Sequence, residues 1–81
     1  MTKKQEYEKE VLSIIAKVLK IKKSQLIKNQ SLGSIKEWDS LAHLNIFFEL
    51  KKRYIKIDLN SASTVRSVKD WINLINKKYN D

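Results

Sequence analysis

Residues 37–50 read E-W-D-S-L-A-H-L-N-I-F-F-E-L, and the fold turns on what this stretch is. Asp39 stands just ahead of an apolar run, where its carboxylate can accept from the first free backbone N–H groups of a helix over about 40–54. The apolar residues of that helix form two groups instead of one stripe. Ile46, Phe47, Leu50 and Tyr54 make one, and Leu41, Leu44 and Phe48 make the other. A helix that is apolar on more than one side is either deeply buried or has a second surface to meet. A chain of 81 residues builds only one small core, so complete burial is not expected.

Working outward from this helix, residues 21–38 hold the only glycine, Gly33, among Ser24, Asn29, Gln30, Ser31 and Ser34. That is loop chemistry. Ile21, Leu26, Ile27, Leu32, Ile35 and Trp38 are spaced through it, which predicts a long connection that packs over the core. Before it, Tyr7, Val11, Ile14, Ile15 and Val18 recur at helical spacing, and Thr2 to Gln5 fits a capping box. A first helix is expected over 3–20.

Beyond residue 54, Ile55, Ile57 and Leu59 alternate as a strand would, but no partner strand is legible elsewhere. An extended connector is the better reading. S-A-S-T-V at 61–65 allows at most a short helical turn. Ser67 to Asp70 resembles another capping box, and Val68, Trp71, Ile72, Ile75 and Tyr79 follow at helical spacing, so a last helix is expected over 67–79. The fold class is all-α: a small bundle of three main helices plus a possible short turn, with a long first loop, forming one domain over 1–81.

Composition excludes several functions. With 42% hydrophobic residues the chain can form a core, and with no cysteine it has no disulfide, thiolate nucleophile or cysteine metal site. No apolar run reaches transmembrane length and the start lacks a signal region, so a cytoplasmic location is expected. The net charge is +8, unevenly placed. Residues 1–28 and 51–81 each carry a net +5, whereas residues 29–50 carry −2. The segment around Ser40 is thus the one acidic stretch.

Ser40 could be a nucleophile with His43 three residues on and Asp39 adjacent. A hydrolase also needs an oriented base and oxyanion donors, usually on a glycine-flanked strained turn, and no such glycines occur here. Asp39 is better used as a cap, and His43 as a partly packed or solvated side chain. One histidine and scattered carboxylates make no metal site. No phosphate-binding glycine loop or dinucleotide fingerprint is present. Read instead as an acceptor of modification, the Ser40 hydroxyl sits at a helix start, where unpaired N–H groups and the helix dipole favour a phosphodiester by ~0.3–1 kcal/mol.

The whole pattern adds weight to that reading. D-S-L opening an apolar helix after a long anchored loop, followed by I-x-I-x-L and S-V-x-D-W-I-x-L-I, resembles the acyl carrier protein family over about residues 3–79. The resemblance implies that Ser40, supported by Asp39 and Leu41, receives a covalent 4′-phosphopantetheine arm from coenzyme A through a Mg²⁺-dependent phosphopantetheinyl transferase. The arm's thiol would then hold acyl, aminoacyl or aryl groups as thioesters. This implies a carrier, itself no enzyme, that meets acyl-loading and acyl-transferring enzymes, binds no metal or nucleic acid, and acts as a monomer. Leu41, Leu44, Phe48 and Glu49 would form the docking face, with Ile46, Leu50 and Tyr54 in the core. Leu44 and Phe47 read equally well as ordinary core.

Departures from the family pattern limit this. Fatty-acid-synthesis carriers are typically acidic along this helix, yet Asn45 and Lys51-Lys52-Arg53 stand where carboxylates are usual, and Glu37 replaces a common glycine. The W-D-S-L form looks more like free-standing carriers of specialised pathways. The rival expectation is a small basic helical module for nucleic acid or an acidic protein, supported by the net +8. A groove-reading helix should gather Lys and Arg, and D-S-L-A-H-L-N-I-F-F does not.

Overall fold

The computed structural model describes residues 3–28 and 31–79. Among them run five helices: α1 Lys3–Leu19, α2 Lys23–Lys28, α3 Ser40–Arg53, α4 Leu59–Ala62 and α5 Val68–Tyr79. The all-α expectation holds. α1 packs against both α3 and α5, and α4 leans on α5. Val11 and Ile15 of α1, Ile46 and Leu50 of α3, and Trp71 and Ile75 of α5 are fully buried between them. Burying a side chain of this kind contributes about 1.5–3 kcal/mol.

α1 ends because the backbone at Lys20 turns left-handed, with φ 58°. The Ile21 N–H then donates to Ala16 O at 3.1 Å, and the Lys20 N–H to Lys17 O at 3.3 Å, which satisfies two of the helix's last carbonyls. Glycine is the usual residue here because a Cβ is strained in this conformation. Lys20→Gly is therefore expected to raise stability by about 0.5–1 kcal/mol, read as a higher urea midpoint at an unchanged slope.

The long first connection contains α2, which the loop reading missed. It packs over the core as expected: Leu26 and Trp38 are fully buried and Ile21, Leu32 and Ile35 partly so, with Ile27 the exposed exception. Its second half is tied to the far end of the chain. Ser31 forms an antiparallel bridge with Ser67, and the Leu32 N–H donates to Arg66 O at 2.7 Å. Gly33, at φ 83°, makes the turn that lets its N–H reach Trp38 O at 2.8 Å.

Residues 55–58 are a connector, and the described residues contain no strand. Lys51 Nζ donates to Ile55 O at 3.0 Å and Ile57 O at 2.6 Å, so a side chain satisfies carbonyls that a ladder would otherwise pair. The short turn begins earlier than its sequence suggests, because Asp58 caps it by accepting from the Ser61 N–H at 2.7 Å. At α5, Ser67 Oγ accepts from the Asp70 N–H at 3.1 Å, so Ser67 is the cap and the helix starts at Val68. The Asp70 carboxylate reaches back to the Arg66 N–H at 3.0 Å, one residue beyond a simple box. The corresponding cap at Thr2 lies outside the described residues.

Opposite the Ser40 end, Glu10 ties α1 to α3. It accepts from Arg53 Nε at 3.0 Å and Nη2 at 3.1 Å, and from the Tyr54 hydroxyl. The Arg53 guanidinium, then the Tyr54 hydroxyl, hold the Glu10 carboxyl below its ordinary range. Burial, reinforced by the Glu10 carboxylate, pushes the Tyr54 phenol up. Tyr54 also meets Tyr7 and Tyr79 edge to face, at 5.8 and 5.6 Å between ring centres.

Candidate functional site

Ser40 is placed by its two predecessors. Trp38 is fully buried, and Asp39 is extended at φ −100° and ψ −174°, so the chain rises from core to surface within two residues. Asp39 Oδ1 accepts from the Ala42 N–H at 2.9 Å, capping α3. Ser40 is then the first helical residue, and it is exposed. It sits at the positive end of a helix of 14 residues.

One turn on, His43 faces inward instead of serving Ser40. Trp38 Nε1 donates to His43 Nδ1 at 3.1 Å, and the imidazole packs against Trp38 and Trp71 with ring centres 6.2 and 5.4 Å away. The lone pair that a general base would use is therefore committed to Trp38. His43 Nε2 is buried without a partner of ordinary hydrogen-bond geometry, although the nearby Val65 backbone favours the protonated form. Burial outweighs this and, with the Arg66 charge, lowers the His43 pKa from its ordinary 6.5. The Trp38 bond agrees, since a protonated Nδ1 cannot accept.

A neutral-favouring site binds fewer protons than the unfolded chain below pH 6.5. The contribution is thus fully present above that pH and lost as pH falls toward the lowered folded value. The His43 imidazole should titrate below 6.5 by NMR. Stability of the native protein should fall as the pH drops below the ordinary histidine range, and His43→Gln should flatten that part of the profile.

The second apolar group of α3 lies outward. Leu41 is 68% exposed, Leu44 39% and Phe48 53%, while Ile46, Phe47, Leu50 and Tyr54 are buried. Of the two residues that also read as core, Phe47 is buried and Leu44 is not. Glu49 is exposed and pairs with Lys52 at 3.2 Å, a surface contact worth ~0–1 kcal/mol. Leu59, 58% exposed, shares a groove with Leu44, whereas the sequence placed it only in the alternation at 55–59. The cap at Asp58 was its signal: it makes Leu59 the first residue of a helix and turns it away from the core.

Two grooves border the exposed apolar face of α3. One, of about 270 Å³, runs between α3 and α4 and is lined by Ser40, His43, Leu44, Phe47, Leu59, Ala62 and Ser63. The other, of about 370 Å³, lies between α1 and α3, where Ile14, Val18 and Phe48 meet Lys17, Lys20, Asn45 and Glu49. Among the described residues, no cluster of His, Asp or Glu is arranged to hold a metal ion, and no helix is long and apolar enough to cross a membrane.

The fold and site together define a small all-α bundle with an exposed serine heading its third helix, beside an apolar surface. Comparison with protein-family models, curated proteins and solved structures finds no match to this chain.

Proposed function

We propose that this chain is a carrier protein that holds acyl, aminoacyl or aryl groups as thioesters on a 4′-phosphopantetheine arm attached to Ser40. The observation that carries the reading is the placement of Ser40: exposed, first in its helix, fixed by the buried Trp38 and capping Asp39, and opening onto a groove. The residues suit such an arm. A phosphodiester on Ser40 Oγ would lie at the α3 N-terminus, where the first N–H groups and the dipole favour an anion. Neighbouring Leu44, Leu59 and Ala62 offer an apolar wall.

His43 is engaged with Trp38, so Ser40 is read as a substrate whose activating base belongs to the transferase. The bond from Ser40 Oγ to phosphorus would form as the coenzyme A pyrophosphate bond breaks, with adenosine 3′,5′-bisphosphate leaving and the hydroxyl proton passing to that base. Once attached, the arm supplies the thiol that the cysteine-free chain lacks. Leu41, Leu44 and Phe48 would meet partner enzymes, with Glu49 at the edge. The protein would work in the cytoplasm as a monomer. Incubating wild type with coenzyme A and a broad-specificity phosphopantetheinyl transferase should add one arm's mass to the intact chain. An unchanged mass across several such transferases would refute the reading.

A further inference from the structure

The groove at Ser40 has a closed floor. His43, Phe47 and Ala62 line it, and Phe47 and Ala62 are only 5% and 2% exposed. Trp71 and Trp38 both pack against His43, and both are fully buried. Space leading inward from Ser40 is therefore filled by the His43 imidazole, which is hydrogen-bonded to the Trp38 indole and packed against that of Trp71. Interiors packed in this way do not open for a guest without displacing side chains.

The groove itself is small. Pockets that enclose a drug-sized ligand run from ~300 to ~1,000 Å³. At about 270 Å³, this one lies below that range, which leaves little room for cargo beside an arm. The larger groove begins at Asn45, roughly 7.5 Å along α3 from Ser40 at ~1.5 Å per residue, and opens on the α1 side of the helix. Its rim carries Lys17, Lys20 and Glu49, which a long alkyl chain would have to desolvate.

We infer that the carried group stays outside the bundle, with only the arm in the α3–α4 groove, and that this carrier serves short or polar groups instead of long alkyl chains. The inference rests on the carrier reading and narrows its substrate class. A short or polar group tolerates water at the arm's end. A long chain needs an apolar shelter, and Trp38, His43 and Trp71 occupy the place where one would open.

The test loads the full chain with acetyl- and octanoyl-phosphopantetheine from the matching coenzyme A thioesters, using a broad-specificity transferase. Melting temperatures and ¹H–¹⁵N spectra, including the Trp38 and Trp71 indole N–H signals, are compared with the unacylated arm-bearing form. The expected result is an equal melting temperature for all three forms. Attachment shifts should fall on Leu44, Leu59, Ala62 and Ser63, with the indoles unmoved by chain length. An octanoyl form that melts several degrees higher overturns the inference and leaves the carrier reading standing, as do length-graded shifts at either indole or at Ile14 and Phe48. Failure of Ser40 to accept any arm overturns both.

Discussion

Ser40→Ala is expected to abolish attachment of the arm completely while leaving the fold almost untouched. On the proposed carrier reading the loss would be absolute, because the hydroxyl oxygen would be the atom bonded to phosphorus and no neighbouring residue could replace it. Ser63 shares the groove, but it is the residue that ends α4, and its hydroxyl already donates to Asn60 O at 2.6 Å. The fold survives because Asp39, not Ser40, caps α3 through the Ala42 N–H, and alanine is favourable within a helix. Helical circular dichroism and melting temperature should therefore match wild type. Asp39→Ala should do the reverse in part, costing about 1 kcal/mol of stability through the lost cap. Intact mass after transferase treatment reads the first effect. Retention of the added mass in Ser40→Ala would place the attachment site elsewhere.

The second large effect separates two adjacent aromatic residues. Phe47→Ala should cost about 3–5 kcal/mol, because Phe47 is 5% exposed and its removal leaves a cavity between α3 and its neighbours. In a domain this small, that is a large part of a stability near the low end of ~5–15 kcal/mol. Phe48→Ala should cost no more than about 1 kcal/mol, since Phe48 is 53% exposed. Its effect should appear in function, as slower arm attachment or acyl loading by partner enzymes. Urea denaturation of the two variants, followed by transferase kinetics on Phe48→Ala, measures both. A loss of several kcal/mol at Phe48 would place that ring in the core and remove it from the docking face.

The helix over 40–54, its cap at Asp39 and its two apolar groups were legible in the sequence because they depend on local spacing. The same holds for α1, whose apolar residues recur every three or four positions, and for α5 with Ser67 at its head. α2 was not legible: six residues are too few for a periodic stripe, and among the described side chains of K-S-Q-L-I-K only Leu26 is buried. The left-handed end of α1 at Lys20 was hidden for a different reason. Nothing about a lysine announces φ 58°, and the pair of 16–21 and 17–20 backbone bonds there needs coordinates to be seen.

At the site, the sequence singled out Ser40 and divided α3 into an inner and an outer group, since both follow from helical geometry once Asp39 is a cap. It could not say what His43 does. Spacing alone put His43 within reach of Ser40, whereas folding brings Trp38 and Trp71 against it and commits its Nδ1 to an indole N–H. Residues 38 and 71 come from distant parts of the chain, and only tertiary packing joins them. That same packing closes the groove floor behind Ser40. Local chemistry thus marked where an arm could be attached, and long-range contacts decided how little room lies beneath it.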